Sequence, residues 1–300
     1  MIGFAPALFS PVSVLMPLFA LFLVLSAACT HAIWNLAAKR AAASRHFVWL
    51  YSSLSSLLWA PVLGWILWTT QPQFSPRHWW ALIATATLHM GYSLMLQAGY
   101  RASDLSLVYP LARGAGPLLS FFLAVLLLGE AISWISILGV LLVVSGILLV
   151  SGLLNKRHKS PRRGILFGLG TGCFIAAYTI NDGYAVKVLL ISPVIIDYFG
   201  NFVRMAALAP KAWFCRHEIR EELRLYGRSA LIVSILGPLG YVLVLYAMQL
   251  APISHVAPAR ELATLLGTFL GARLLREKAA PARLAGAACI VLGVISLALA

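Results

Sequence analysis

The two halves of this chain repeat one another, and in both halves the repeated unit consists of apolar segments. Residues 105–151 align with residues 253–299 at a shift of 147 positions, while the start of each half agrees less closely. The shift superimposes Arg113 on Arg260, Glu130 on Glu277, Gly139 on Gly286 and Gly146 on Gly293. A chain made of two copies must therefore build one fold from two similar bundles.

The composition indicates that this surface faces lipid. Hydrophobic residues make up 61% of the 300 positions and charged residues 11%, whereas soluble domains are about half apolar and a quarter charged. About 20 consecutive apolar residues suffice to span a bilayer as a helix. Ten such segments are predicted: 16–38, 47–69, 79–100, 105–128, 133–151, 164–186, 190–210, 229–250, 254–274 and 282–299.

Five segments per half is an odd number, so the second copy enters the membrane upside down relative to the first. The predicted fold is an all-α polytopic membrane protein with ten transmembrane helices in two inverted five-helix repeats. Its predicted units are residues 1–152, a basic cytoplasmic linker at 153–163 and residues 164–300. Inverted repeats are typical of secondary transporters, which bind substrate between the two copies.

Basic residues orient the predicted fold. Of the 23 Lys and Arg residues, 18 lie in or beside the odd-numbered connections between segments. Basic connections stay in the cytoplasm, so the odd-numbered connections are predicted to be cytoplasmic and both termini to lie outside. The net charge of +14 thus fits a multi-pass protein of the cell inner (plasma) membrane. The predicted partner is the lipid bilayer, and nucleic acid is not expected.

Two arginines lie inside predicted segments, at matching places in the two repeats. Arg113 follows Pro110, and Arg260 follows Pro258. Proline removes a helix hydrogen bond, and backbone opened in this way is tolerated only against protein or a wet cavity. A guanidinium there suits a carboxylate or phosphate ligand. The alternative is a structural ion pair, for instance between Arg260 and one of the acidic residues Asp182, Asp197 and Glu261.

Other polar and aromatic side chains inside the segments are candidates to line a substrate cavity, since polar groups in lipid need partners. Water in a cavity would supply those partners, and so would hydrogen bonds between helices; both alternatives stay open. Together with Arg113, Arg260 and Glu261, the predicted substrate-binding residues are His31, Trp34, Asn35, His89, Tyr92, Tyr178, Asn181, Asp182 and Tyr241.

Proton coupling is a further hypothesis for the same region. Histidine changes its charge near neutral pH, and burial favours the protonated, neutral form of a carboxyl group. The candidates are Glu261, Asp182, Asp197 and His89, and the sequence alone singles out none of them.

The sequence contains no pattern typical of a catalytic, metal or cofactor site. The four cysteines lack CxxC spacing, and no nucleophile–base set, phosphate-binding loop or HExxH motif is present. We therefore predict a protein that is not an enzyme and has no cofactor or metal. A lipid-modifying membrane enzyme would need a catalytic set at one interface. A structural scaffold would not require two arginines at paired depths.

Several motifs resemble the drug/metabolite transporter superfamily, specifically its ten-helix EamA-like family. These are HAIWNLAAK at 31–39, PLARGAGPLLSFFLAVLLLGE at 110–130 and LLREKAAPARLAGAACIVLGV at 274–294. The resemblance implies a central cavity between two inverted repeats and export or exchange of small metabolites without ATP. The pair Arg276-Glu277 departs from the Gly129-Glu130 pattern, and both glutamates are expected to act as helix-end anchors.

The sequence as a whole predicts a secondary active transporter, an exporter or exchanger of a small metabolite such as an amino acid, working by alternating access. The alternatives are a lipid-linked sugar flippase and a broad-specificity exporter of drugs or toxic compounds. Intramembrane arginines disfavour an exporter of cations. Ten segments suffice for a complete cavity in one chain, and both a monomer and a homodimer are compatible with the sequence.

Overall fold

The computed structural model describes residues 16–41, 44–151, 161–263, 265–266 and 281–300. Every regular element formed by these residues is a helix, which confirms the all-α prediction. The helices are α1 (Leu18–Arg40), α2 (Phe47–Thr70), α3 (Pro76–Ala102), α4 (Leu105–Leu128), α5 (Trp134–Ser151), α6 (Pro161–Lys187), α7 (Pro193–Phe214), α8 (Arg216–Leu250), α9 (Ile253–Ala259) and α10 (Pro281–Leu299).

Two helices differ clearly from the predicted segments. Helix α8 begins at Arg216 and not near 229, because the polar stretch 216–228 continues the helix beyond the apolar part. Helix α9 ends at Ala259, where a turn at Arg260 and Glu261 interrupts the predicted segment; residues 262–263 and 265–266 are helical again, and the predicted end at 274 lies outside the described residues. Most of the predicted linker at 153–163, together with Arg276 and Glu277, lies outside the described residues.

Not every helix is uniformly apolar. By length and hydropathy, α1, α2, α4, α6 and α8 could each cross a membrane, and α5 and α10 are shorter apolar helices. Helices α3 and α7 carry internal charged or titratable groups, among them His89, Asp197 and Arg204. These helices border the cavity described below, so their polar faces are turned away from lipid.

The closest helix pairs join the two repeats. Helix α4 packs along α6, α1 along α8, α3 along α6, and α5 along α10. Small residues permit these approaches: a Cβ atom on Gly146 of α5 would lie 2.6 Å from the carbonyl oxygen of Gly286 in α10. On α6, Gly172 packs against Ala115 of α4 in the same way. The two repeats thus pack closely against each other along these helices, as expected for membrane helices that associate through small residues.

The largest apolar core closes the end of the molecule that carries the even-numbered connections. It includes Val24 of α1, Val186 at the end of α6, Met248 at the end of α8 and Ile253 at the start of α9, all nearly or fully buried. Both repeats contribute to this core.

A buried carboxylate fixes the start of α9. Glu130 follows Gly129, whose positive φ of 67° ends α4 in the left-handed conformation. The Glu130 carboxylate accepts hydrogen bonds from the backbone N–H groups of Ile253 at 2.7 Å and Ser254 at 2.8 Å. Lys187 Nζ lies 3.4 Å from the same carboxylate. The first repeat therefore caps a helix of the second, where the exposed N–H groups of a helix start favour a negative charge.

Replacing Glu130 with glutamine is expected to destabilise the protein by about 1–3 kcal/mol, since charge-assisted hydrogen bonds to two buried N–H groups are weakened. The measurement is thermal unfolding of the purified protein in detergent. Glu221→Gln, at an exposed position of α8, serves as the matched control. Equal melting temperatures for the two variants would contradict the capping role.

Candidate substrate cavity

A cavity of about 240 Å³ lies between helices of both repeats, in the half of the bundle opposite the large apolar core. Trp34 and Asn35 border it from the second half of α1, Tyr51 from the second turn of α2 and Arg204 from the second half of α7. All these residues lie in the parts of their helices that lead to the odd-numbered connections. A second cavity of about 50 Å³ shares His31, Arg113, Tyr178 and Tyr241 with the first and extends to Arg260.

Two arginines and one glutamate form a cluster at the cavities: Arg113 lines both, Arg260 lines the smaller one, and Glu261 lies behind them. Arg113 Nη2 lies 2.7 Å from Glu261 Oε2, and Arg260 Nε lies 3.7 Å from Glu261 Oε1. The Glu261 side chain is 1% exposed, whereas that of Arg113 is 17% exposed. Two guanidinium groups against one carboxylate leave one positive charge, so this cluster is an anion-attracting end of the cavity.

The end of α9 at Ala259 determines the positions of Arg260 and Glu261. Pro258 lies in the last turn of the helix, and Arg260 and Glu261 occupy the turn that follows Ala259. The turn is held by hydrogen bonds from the Glu261 N–H to the Pro258 carbonyl and from the Ala263 N–H to the Arg260 carbonyl. Helix α4, in contrast, stays helical through Pro110 and Arg113. Discontinuous helices commonly form the binding site of transporters, because their ends offer polar groups at membrane depth.

A second buried carboxylate, Asp182 of α6, collects hydrogen bonds from three other positions. The hydroxyl groups of Thr85 and Tyr241 donate to it, and Asn181 Nδ2 donates at 3.0 Å. Thr85 and Asn181 contact Oδ1, and Tyr241 contacts Oδ2, from which His89 Nε2 lies 3.0 Å away. Asp182 is fully buried. Such a dense set of partners satisfies a carboxylate that would be costly to bury alone.

Aromatic rings connect the two charged clusters. The His89 ring stacks on Tyr178 with centroids 4.0 Å apart, and Tyr92 meets Tyr178 edge-on at 5.9 Å. The guanidinium carbon of Arg260 lies 5.8 Å from the centre of the Tyr178 ring, within the range of a cation–π contact. Tyr178 therefore touches the groups around both Asp182 and Arg260, and it separates the two clusters.

A third polar group borders the cavity from α7 and α2. Asn201 Nδ2 donates to Asp197 Oδ2 at 2.9 Å, and Arg204 Nη1 lies 3.2 Å from Asn201 Oδ1 and 3.4 Å from the Tyr51 hydroxyl. This chain joins α7 to α2, one helix from each repeat. It provides the cavity with an acidic group, Asp197, on a different helix from Arg113.

Comparison with known proteins gives the family. The sequence model of the EamA-like transporter family matches the chain twice, over residues 18–152 and 162–299. The chain belongs to this family. EamA proteins form part of the drug/metabolite transporter superfamily, so the protein is a membrane transporter built from two repeats.

A solved structure described as "Crystal structure of protein" shares the fold of this EamA transporter. The TM-score is 0.73 at 16% sequence identity, over 93% of this chain and 98% of the other. No curated protein matches the sequence. The solved structure supports the fold alone.

The transporter brings most of the predicted site residues to one place. Nine of them line the two cavities: His31, Trp34, Asn35, His89, Tyr92, Arg113, Tyr178, Tyr241 and Arg260. The other three lie behind this lining: Asp182 under His89, Asn181 beside it, and Glu261 between the two arginines. The structural ion pair considered for Arg260 is present, with Glu261 as the acidic partner.

Several lining residues were not predicted. Thr85, Ser93, Tyr109 and Asn201 border the larger cavity, as do Tyr51 and Arg204. Arg204 carried a signal, since it lies inside an apolar segment. The hydroxyl and amide residues did not, because such side chains also occur in ordinary helix contacts. Their position in the cavity depends on which helices meet across the two repeats.

Proposed function

We propose that this transporter is a secondary active carrier that exports or exchanges a small metabolite bearing an anionic group, such as an amino acid, by alternating access. The observation that carries the proposal is the Arg113–Glu261–Arg260 cluster, of which Arg113 lines both cavities. Its net positive charge lies at the broken end of α9, where a carboxylate of the substrate would be held by guanidinium groups.

The acidic side chain of Asp197 in the cavity favours a zwitterionic substrate. Asp197 borders the same cavity as Arg113 but belongs to the group on α7. A substrate with a carboxylate and an ammonium group could face both. The volume of about 240 Å³ lies below the roughly 300–1,000 Å³ of pockets for drug-sized ligands, so it supports a small metabolite.

The two ends of the bundle support alternating access. Apolar residues from both repeats close the end with the even-numbered connections, whereas the cavity extends towards the odd-numbered connections. We propose that this arrangement is the inward-facing state, given the cytoplasmic assignment of the basic connections. Because the repeats are inverted, exchange of their conformations would open the opposite end.

We propose Asp182 and His89 as the pair that couples transport to protons. They lie 3.0 Å apart, His89 borders the cavity and Asp182 lies directly behind it. The other candidates are less suited, since Glu261 is held between two arginines and Asp197 by Asn201. A proton reaching His89 from the cavity could be shared with Asp182 without crossing apolar protein.

A thermal-shift screen of the purified protein against amino acids, nucleosides and sugar phosphates tests the substrate class. A ligand at 100 times its Kd stabilises the folded form by about 2.7 kcal/mol. We expect stabilisation by amino acids and none by their methyl esters, which lack the carboxylate. Stabilisation by esters and organic cations, with no response to amino acids, would refute the proposed substrate class.

A further inference from the structure

A separate cluster outside the substrate cavity has the composition of a metal site. It lies at the end of the bundle that carries the odd-numbered connections (the odd-connection end), where the start of α2 meets the junction of α7 and α8. His46, Cys215 and Glu218 each offer one ligand atom, and these atoms all lie within 4.8 Å of one another. We propose that the three residues bind a divalent transition-metal ion of the zinc type.

The imidazole of His46 is the strongest observation for a ligand. Its side chain is only 4% exposed, yet neither ring nitrogen makes a hydrogen bond to any described residue. Its Nδ1 atom lies 3.9 Å from Glu218 Oε2 and 3.4 Å from Glu222 Oε1, so the ring faces the cluster. A buried polar group without a hydrogen bond is costly, and a metal ion would supply the missing partner.

The backbone around the cluster is already fixed. Glu222 accepts hydrogen bonds from the Ser44 hydroxyl at 2.6 Å and from the N–H groups of Arg45 at 2.9 Å and His46 at 3.1 Å. On the other side, the Cys215 N–H bonds to the Lys211 and Ala212 carbonyls at 3.2 Å. Binding would therefore require small side-chain movements and no refolding of the connections.

The two ligands from the second repeat share one helix face. Cys215 directly precedes α8, and Glu218 follows it by three residues, a spacing that places side chains above one another. His46 approaches from the first repeat. Because the ligands come from distant parts of the sequence, no motif such as CxxC marks the site. The sequence alone therefore predicted no metal.

The donor set identifies the class of ion. Imidazole nitrogen, thiolate sulfur and carboxylate oxygen are the ligands of Zn²⁺, whereas Mg²⁺ and Ca²⁺ require oxygen ligands. On binding, the Cys215 sulfur forms a bond to the metal and its thiol proton passes to solvent. Three protein ligands leave a fourth, tetrahedral position for water. The nearby Glu222 carboxylate adds negative charge beside the cation.

A bound ion would join the α1–α2 connection of the first repeat to the α7–α8 junction of the second. This clamp would act at the odd-connection end, apart from the cavity residues. The inference is independent of the proposed substrate and coupling ion, because it rests on ligand geometry outside the cavity.

Cobalt(II) titration of the purified, metal-stripped protein tests the site, since Co²⁺ reports thiolate ligation by a near-ultraviolet charge-transfer band and tetrahedral geometry by visible bands. We expect both at one Co²⁺ per chain, and their loss on addition of Zn²⁺. Cys215→Ser should remove the charge-transfer band. Glu218→Gln and His46→Gln should weaken binding at least about tenfold, as even changes next to metal ligands cost 10- to 100-fold.

Matched controls separate this site from surface binding. Cys173→Ser changes another free cysteine, and His217→Ala removes an exposed imidazole beside the cluster; both should bind Co²⁺ like the wild type. Zn²⁺ should raise the melting temperature of the wild type and not that of Cys215→Ser. The proposal is overturned if saturating Co²⁺ gives no charge-transfer band, or if the band survives in Cys215→Ser or disappears in His217→Ala.

Discussion

Arg113→Ala is expected to lower substrate affinity by about 10- to 100-fold, as measured by binding to the purified protein and by exchange in proteoliposomes. The reason is the loss of a charge-assisted contact worth about 1.5–3 kcal/mol, where 1.4 kcal/mol corresponds to a factor of ten. Arg113 is the more accessible of the two arginines in the cluster, and it borders both cavities. Its guanidinium is therefore the first that a substrate carboxylate would meet.

The control for this experiment is Arg77→Ala, which removes an exposed arginine from the opposite end of the bundle. It should transport like the wild type. Arg113→Lys keeps the charge but loses the planar pair of donors, so we expect an intermediate affinity. Wild-type exchange by a well-folded Arg113→Ala protein would remove the arginine from the proposed site.

The double variant Arg113→Ala/Glu261→Ala separates substrate binding from a structural role. Arg113→Ala leaves Glu261 paired with Arg260, so we expect only a modest loss of stability, whereas the double variant leaves Arg260 as a buried charge without this partner and should lose about 3–5 kcal/mol. If Arg113 binds substrate, the single variant loses affinity while its melting temperature stays close to that of the wild type. If the single variant keeps wild-type affinity and only the double variant loses it, the arginine serves a structural role alone.

The fold was predictable to the extent that it follows from hydrophobic periodicity and repetition. Helix α4 has the predicted bounds, 105–128, since its apolar run is continuous and Gly129 ends it with a positive φ. The end of α9 was not predictable from the same signal. The apolar run continues past Ala259, and the break depends on the local effect of Pro258 and on the burial of Arg260 and Glu261.

The position of the candidate site within the membrane could be predicted from the sequence, but the pairs of residues that meet there could not. An intramembrane charge is unusual in itself, so Arg113, Arg260 and Asp182 could be recognised from the sequence. Their partners could not, because contacts such as Thr85 with Asp182 or Arg204 with Tyr51 join helices far apart in the chain. The packing of α3 on α6 and of α2 on α7 decides these pairs, and no local pattern encodes it.

The two buried carboxylates near Tyr178 have different surroundings, which explains why we assign them different roles. Glu261 faces the guanidinium groups of Arg113 and Arg260, which keep their positive charge, so its negative charge is always compensated. Asp182 faces hydroxyl and amide donors and the imidazole of His89, and no permanent cation contacts it among the described residues. A proton entering the Asp182 cluster changes its net charge, whereas the arginine cluster keeps its charge for the substrate.

Asp182→Asn is accordingly expected to abolish accumulation of substrate driven by a pH gradient while leaving exchange of substrate for substrate within about threefold of the wild type. Folding should survive the change, since the hydroxyl groups of Thr85 and Tyr241 can rotate to accept from the new amide. The measurement compares gradient-driven uptake and counterflow in the same proteoliposome preparation.

The comparison variant is Asp197→Asn, at the other carboxylate that borders the cavity. We expect it to weaken substrate binding and to preserve the response to the pH gradient, because Asp197 faces Asn201 and not a titratable histidine. The reverse pattern, with gradient-driven uptake intact in Asp182→Asn and lost in Asp197→Asn, would move proton coupling from α6 to α7. Asp197 would then be the coupling carboxylate, and His89 would act in packing against Tyr178 alone.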